Sequence, residues 1–214
     1  AFQAAEAGVE QALQSTSGPS SLEFTNNSKY TTSISNPQGT EFLLNGGEVV
    51  EQDVGLDIWL SEYPNYASPI TGSVTVHWNT SEQQSCTASS GESTKPAIEI
   101  IVISGNTTNP SVDKNVYDVC GRITGSVSPG AGGTVEEITF TYGVSIPVVN
   151  GLLMRVIPVY NSAKIGVTSS VSLPVQGTKV SSVGESGETI RKVQYFSSHP
   201  QVPLEIFPYS LISQ

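Results

Sequence analysis

Only one stretch of this 214-residue chain spaces its apolar residues as an α-helix does. In residues 1–13, AFQAAEAGVEQAL, the side chains of Phe2, Ala5, Val9, Ala12 and Leu13 recur at helical intervals, while Gln3, Glu6, Glu10 and Gln11 fall on the other side. Alanine adds intrinsic helicity. No Ser, Thr, Asp or Asn cap precedes the pattern, so the helix reads as cut open at its front. Gly18-Pro19 ends it. So short an amphipathic helix needs a surface to lie on, most simply a sheet, with Phe2, Ala5, Val9 and Leu13 as the packing face.

From Phe24 onward the pattern is β-type, with alternating runs broken by turn residues. Strands are expected near residues 47–60, 72–79, 97–104, 116–123, 134–142, 152–160, 163–167, 178–183 and 189–197. The punctuation between them includes Asn45-Gly46-Gly47, Asn150-Gly151 and Gly184-Glu185-Ser186-Gly187. The nearly unbroken apolar run 97–103 suits a strand covered on both faces. Val74, Val76 and Trp78 alternate with Thr75, His77 and Asn79 and read as a strand buried on one face, with His77 on the surface. The expected fold class is therefore α+β: a helix over 1–14 on an antiparallel sheet or sandwich, and a single β-rich head over 15–214. Segments 81–95 and 105–115 read as exposed connections, the first places to look for contacts.

A net charge of −10 with nine Lys plus Arg leaves no basic patch able to neutralise several phosphates, so nucleic acid is not an expected partner. No apolar run reaches the ~18 residues of a membrane span. The two cysteines, Cys86 and Cys120, do not have the paired spacing of a structural zinc site. A single disulfide is the better reading than two buried thiols, and it stabilises by about 3–4 kcal/mol in an oxidising compartment.

The sequence offers little catalytic chemistry. His77 and His199 have no ligand-type neighbours at metal spacing, and His199-Pro200 reads as a turn. Gly184-Glu185-Ser186-Gly187 has the look of a serine-protease turn, but no base and acid accompany it, so a hairpin is the better reading. Glu136-Glu137, or Asp53 with Asp57, lack the apolar pocket that a glycosidase acid needs. Asp113 and Asp118 with Asn109 and Asn115 offer oxygen ligands, but not at EF-hand spacing. The Asn-x-Ser/Thr matches at Asn26, Asn79 and Asn106 are of a kind that polar loops meet by chance. Trp59, Tyr63 and Tyr66 around Pro64 and Pro69 suggest a sugar-stacking surface, with a core role for Trp59 as the bland reading. The chain is thus read as no enzyme, with no cofactor and no metal, and with Trp59, Tyr63, Tyr66, Asn109 and Asp113 as candidate contact residues.

The helix also carries a family resemblance. Phe2, Ala4-Ala5-Glu6-Ala7-Gly8-Val9-Glu10 and Ala12-Leu13 resemble the place where the long first helix of type IV pilin-like proteins, above all the PilX-type minor pilins, leaves the membrane. The tail 173–213 is similar to the C-terminal block of large pilin-like proteins through Leu173-Pro174, Gln176-Gly177, Ser182, Gly184, Arg191-Lys192-Val193, Leu204, Phe207, Tyr209, Leu211 and Ser213. Between these blocks only the strand-rich character matches. The resemblance implies a leader peptide and an apolar helix upstream of Ala1, which hold the subunit in the membrane before assembly and in the filament core afterwards. It implies an extracellular, cell-surface pilus subunit serving assembly, adhesion or twitching motility, with other pilin subunits as partners and a cell-surface or glycan ligand for the head. The alternative is a secreted β-sandwich that binds carbohydrate or protein.

Overall fold

The structure, a computed structural model, describes residues 1–15, 20–80, 84–87 and 93–200. Helix α1 (Phe2–Ser15) is followed by strands β1 (Ser21–Glu23), β2 (Ser28–Ser35) and β3 (Gly39–Leu43), then β4 (Leu56–Trp59) and β5 (Ile70–Trp78). The two-residue pieces β6 (Gln84–Ser85) and β7 (Ser93–Thr94) precede the long hairpin β8 (Ala97–Asn106) and β9 (Asn109–Tyr117). Three more short pieces, β10 (Gly130–Ala131), β11 (Thr134–Val135) and β12 (Ile138–Thr139), lead into β13 (Tyr142–Val159), β14 (Ile165–Leu173), β15 (Gly177–Ser186) and β16 (Thr189–Ser198). Among the described residues strand makes up 58% and helix 9%, which overturns the α+β expectation: the fold is mainly β, with mostly antiparallel sheets and a single α-helix. The cause lies in the body of the chain, where β-branched and hydroxyl residues at period two leave no second segment with a helical stripe.

The chain divides into two compact units. The first joins Ala1–Pro37 to Gln176–His199, so the boundary expected at residue 14 falls inside it. Here α1 lies on a four-stranded antiparallel sheet of order β1-β2-β15-β16, touching β15, β2 and β16. The buried stripe of the helix is Ala4, Ala5, Gly8, Val9 and Ala12, and Val9 and Ala12 meet Val180, Ile34 and Val193. Phe2 and Leu13, expected on this face, are instead 55% and 45% exposed. At about 100° per residue both sit roughly a quarter turn from the line through Ala5, Gly8 and Ala12, outside the strip that the sheet covers.

Small residues define that strip because the backbones come close. A Cβ on Gly8 would lie 2.3 Å from Ser182 Oγ and 2.8 Å from the Tyr30 ring, and one on Gly184 would lie 2.1 Å from the carbonyl oxygen of Ala1. The phenol of Tyr30 donates a hydrogen bond to Gln11 Oε1, which ties sheet to helix at the edge of the stripe.

The second unit is built on Gln38–Val175. Its eight-stranded antiparallel sheet runs β3-β14-β5-β13-β8-β9, with β4 and β10 also pairing to β13. The 18-residue β13 organises it: the register shifts between Val148 and Gly151, so the first half pairs with β5 and the second with β4 and β8. Val74, Val76 and Trp78 of β5 join Ile98, Ile100, Met154, Val156 and Ile165 in the main core. Trp59, Ile101, Leu153 and Ile157 form a second cluster, so the run 97–103 does bury both faces.

His77, expected on the surface, is 7% exposed and bonds Thr168 Oγ1 through Nε2 at 2.9 Å, with Phe140 beside its ring. The strand expected at 116–123 gives way after Tyr117 to a turn, and 105–115, expected as a loop, forms the tip of the β8–β9 hairpin and most of β9. Residues 201–214, which hold the last five positions of the pilin-like tail block, lie outside the described residues. Among the described residues no helix is long and apolar enough to cross a membrane.

Candidate functional site

Cys86 and Cys120 form a disulfide with Cα atoms 5.4 Å apart. The Cys120 end is held by its neighbours in sequence. The backbone N–H groups of Cys120 and Arg122 donate to the Asp118 carboxylate at 2.9 and 2.8 Å, and the Arg122 guanidinium grips both its oxygens at 3.1 and 2.8 Å. Burial alone pushes the Asp118 carboxyl up, but these hydrogen bonds and the Arg122 charge outweigh it and hold the group below its ordinary range. Arg122 also donates to the Lys95 carbonyl and stacks 4.1 Å from the Tyr160 ring centroid. Asp118 is thus committed to structure. Among the described residues no group of three or more His, Cys, Asp or Glu gathers as metal ligands.

The aromatic trio does come together. Tyr63 sits edge-on to Trp59 at 5.0 Å and Tyr66 lies tilted at 5.4 Å. Trp59, however, is 4% exposed and packs in the second apolar cluster, so the face offered to solvent belongs mostly to Tyr63. Alternation along β13 places Arg155 on the same side of the sheet as Leu153 and Ile157, and its guanidinium makes a two-point bond of 2.7 Å each to the buried Asp57 carboxylate. Asp57 is therefore an ion-pair partner, separate from the exposed Asp53. Glu136 and Glu137 make the tight turn between β11 and β12, both at positive φ. Asn79 is buried, and the side chains of Asn26 and Asn106 accept hydrogen bonds within their own turns.

The described residues also form a concavity elsewhere. A groove of about 400 Å³ runs between the face of β8–β9 and residues 145–149 of β13. Ile100, Val102 and Ile146 supply its apolar floor, and Ser111, Asp113 and Asn115 line its β9 side. Asp113 thus belongs to it, while Asn109 sits at the start of β9, pairing with Asn106 across the hairpin. The sequence held a signal for this wall: Ser111, Asp113, Asn115 and Tyr117 alternate with Val112, Lys114 and Val116, a period of two that the polarity of the segment hides. The opposing wall exists only because β13 changes partners at its register shift, which no local pattern announces.

Comparison with known proteins gives no matching family model, no matching curated protein and no matching solved structure.

Proposed function

We propose that this protein is a subunit of a type IV pilus-like extracellular filament, of the minor pilin kind, serving assembly, adhesion or surface motility. The observation that carries the reading is the N-terminal helix, which buries a narrow strip of small residues on a sheet made from both ends of the chain. It leaves Phe2 and Leu13 exposed on its flank. In a filament those two side chains would be covered by helices of neighbouring subunits, which accounts for apolar residues in water at positions that the sheet does not need. The long strand-rich segment inserted between β2 and β15 is then the part that meets the surroundings. The Cys86–Cys120 disulfide fits an oxidising, extracellular compartment.

The test is to shear surface filaments from the native host and identify their subunits by mass spectrometry. The expected result is this protein in the filament fraction, processed just before an apolar helix. Recovery only as a free secreted monomer would contradict the reading and leave the secreted binding module in its place.

A further inference from the structure

We propose that the groove beside β13 is a docking site for an extended peptide segment of a partner protein, taken up as an added strand along residues 144–149 and anchored by a basic side chain on Asp113. The proposal goes beyond the filament reading and does not depend on it.

The hydrogen-bonding ladder supplies the first observation. Along β13, residues 153–156 have strand partners on both sides, in β4 and β8, and residues 142–143 have β5 and β10. Residues 144–148 pair with β5 alone among the described residues. A strand edge left this way presents backbone N–H and C=O groups that a further strand can satisfy. Pro147 removes one donor from that edge, so the added strand bonds through the residues around it.

The second observation is that the groove opens along this same stretch. Ser145, Ile146, Pro147 and Val149 form one wall, and the face of the β8–β9 hairpin forms the other. A strand laid beside 144–149 would turn alternate side chains toward Ile100 and Val102, where small apolar groups are the complement. Its volume, about 400 Å³, lies within the ~300–1,000 Å³ range of built ligand sites.

Charge selects the anchor. Asp113 is exposed on the β9 wall and makes no ion pair among the described residues, whereas its neighbour Lys114 is paired with Glu99 at 2.9 Å across the hairpin. With a net charge of −10 behind it, this carboxylate favours a lysine or arginine. A saccharide is the poorer match. Among the described residues the one aromatic ring lining the groove, Tyr117, is 7% exposed and offers little face for stacking.

The experiment is selection of a random dodecapeptide display library on the full chain, followed by hydrogen-exchange mapping with the enriched synthetic peptides and with a panel of neutral oligosaccharides. The proposal expects peptides that alternate apolar and polar residues, carry Lys or Arg, and slow exchange at Ser145 and Val149, whose N–H groups alternation turns to the open edge. It also expects Asp113→Lys, at an exposed position, to weaken these peptides at least about tenfold, and Glu in place of the basic residue to restore binding to that variant. Failure to enrich any peptide, protection elsewhere in the chain, indifference to Asp113→Lys, or protection of 144–149 by oligosaccharides instead would each overturn it.

Discussion

In the first unit the helix approaches its sheet so closely that neither Gly8 nor Gly184 has room for a Cβ, whereas the second unit gathers a wide core of Ile, Val, Trp and Met around β13 and adds a buried ion pair and a disulfide. Each unit is therefore vulnerable in a different way. A contact made by backbone proximity fails when one carbon atom is added, while a broad core absorbs small changes and fails when a buried charge loses its partner.

The largest effect should follow from Arg155→Leu, which strands the Asp57 carboxylate in an apolar cluster. Chemical denaturation should show a loss of about 3–5 kcal/mol, most of it recovered when Asp57→Leu is added. If the single variant were as stable as the parent, the second unit would not rest on the pair as its geometry indicates. Next in size is the disulfide. Cys86→Ser with Cys120→Ser should cost about 2–4 kcal/mol, and hydrogen exchange should quicken around Asp118 while the amides of β2 and β15 keep their protection. Equal quickening in β2 and β15 would break the distinction between the two units.

In the first unit the sharper test is a cycle on Gly8 and Ser182. Alanine at position 8 gains about 1 kcal/mol of helix propensity. Its Cβ nonetheless meets Ser182 Oγ, Tyr30 and Thr32 all within 3 Å, so Gly8→Ala should be destabilising by about 1–2 kcal/mol overall. Ser182 is fully buried and its Oγ has no hydrogen-bond partner among the described residues, so Ser182→Ala should stabilise by up to about 1 kcal/mol. The double variant should recover part of the Gly8→Ala loss, because the closest clash is with the atom removed. Strict additivity in thermal melts would show that the helix shifts away from the sheet instead.

The smallest effects are those of pH. The Asp118 carboxyl is held low in the folded state, so its contribution is present above the unfolded carboxylate range, near pH ~3.9, and is lost as pH falls through the depressed folded value. Burial pushes the His77 imidazole down, so stability is lost earlier, as pH falls below the unfolded value near ~6.5. Asp118→Asn should flatten only the lower limb of a stability–pH profile, and His77→Gln only the upper one.

How much of this was legible in the sequence differs between elements. The helix, the strand of Val74, Val76 and Trp78, the doubly covered run 97–103 and the Gly187 hairpin all follow from periods of 3.6 or 2 and from turn residues. Phe2 and Leu13 misled because an apolar residue near a stripe looks like part of it, and only the width of the covering sheet says where the stripe ends. His77 misled because alternation assigned it to a solvent face that the 130–140 segment covers, with Gly133 and Phe140 against its ring. Single-strand patterns also missed the partner exchange within β13, which creates both the groove and its open edge.

Cross-linking reads out whether the flank of the helix is a subunit contact. Phe2→Cys and Leu13→Cys, placed separately in the full-length protein, expressed in the native host and labelled with a thiol-directed photo-cross-linker, should give a covalent adduct with another filament subunit on irradiation of sheared filaments. An exposed control, Gln3→Cys, on the polar side of the helix, should give far less. Equal, low cross-linking from all three positions, with the protein monomeric throughout, would contradict the account.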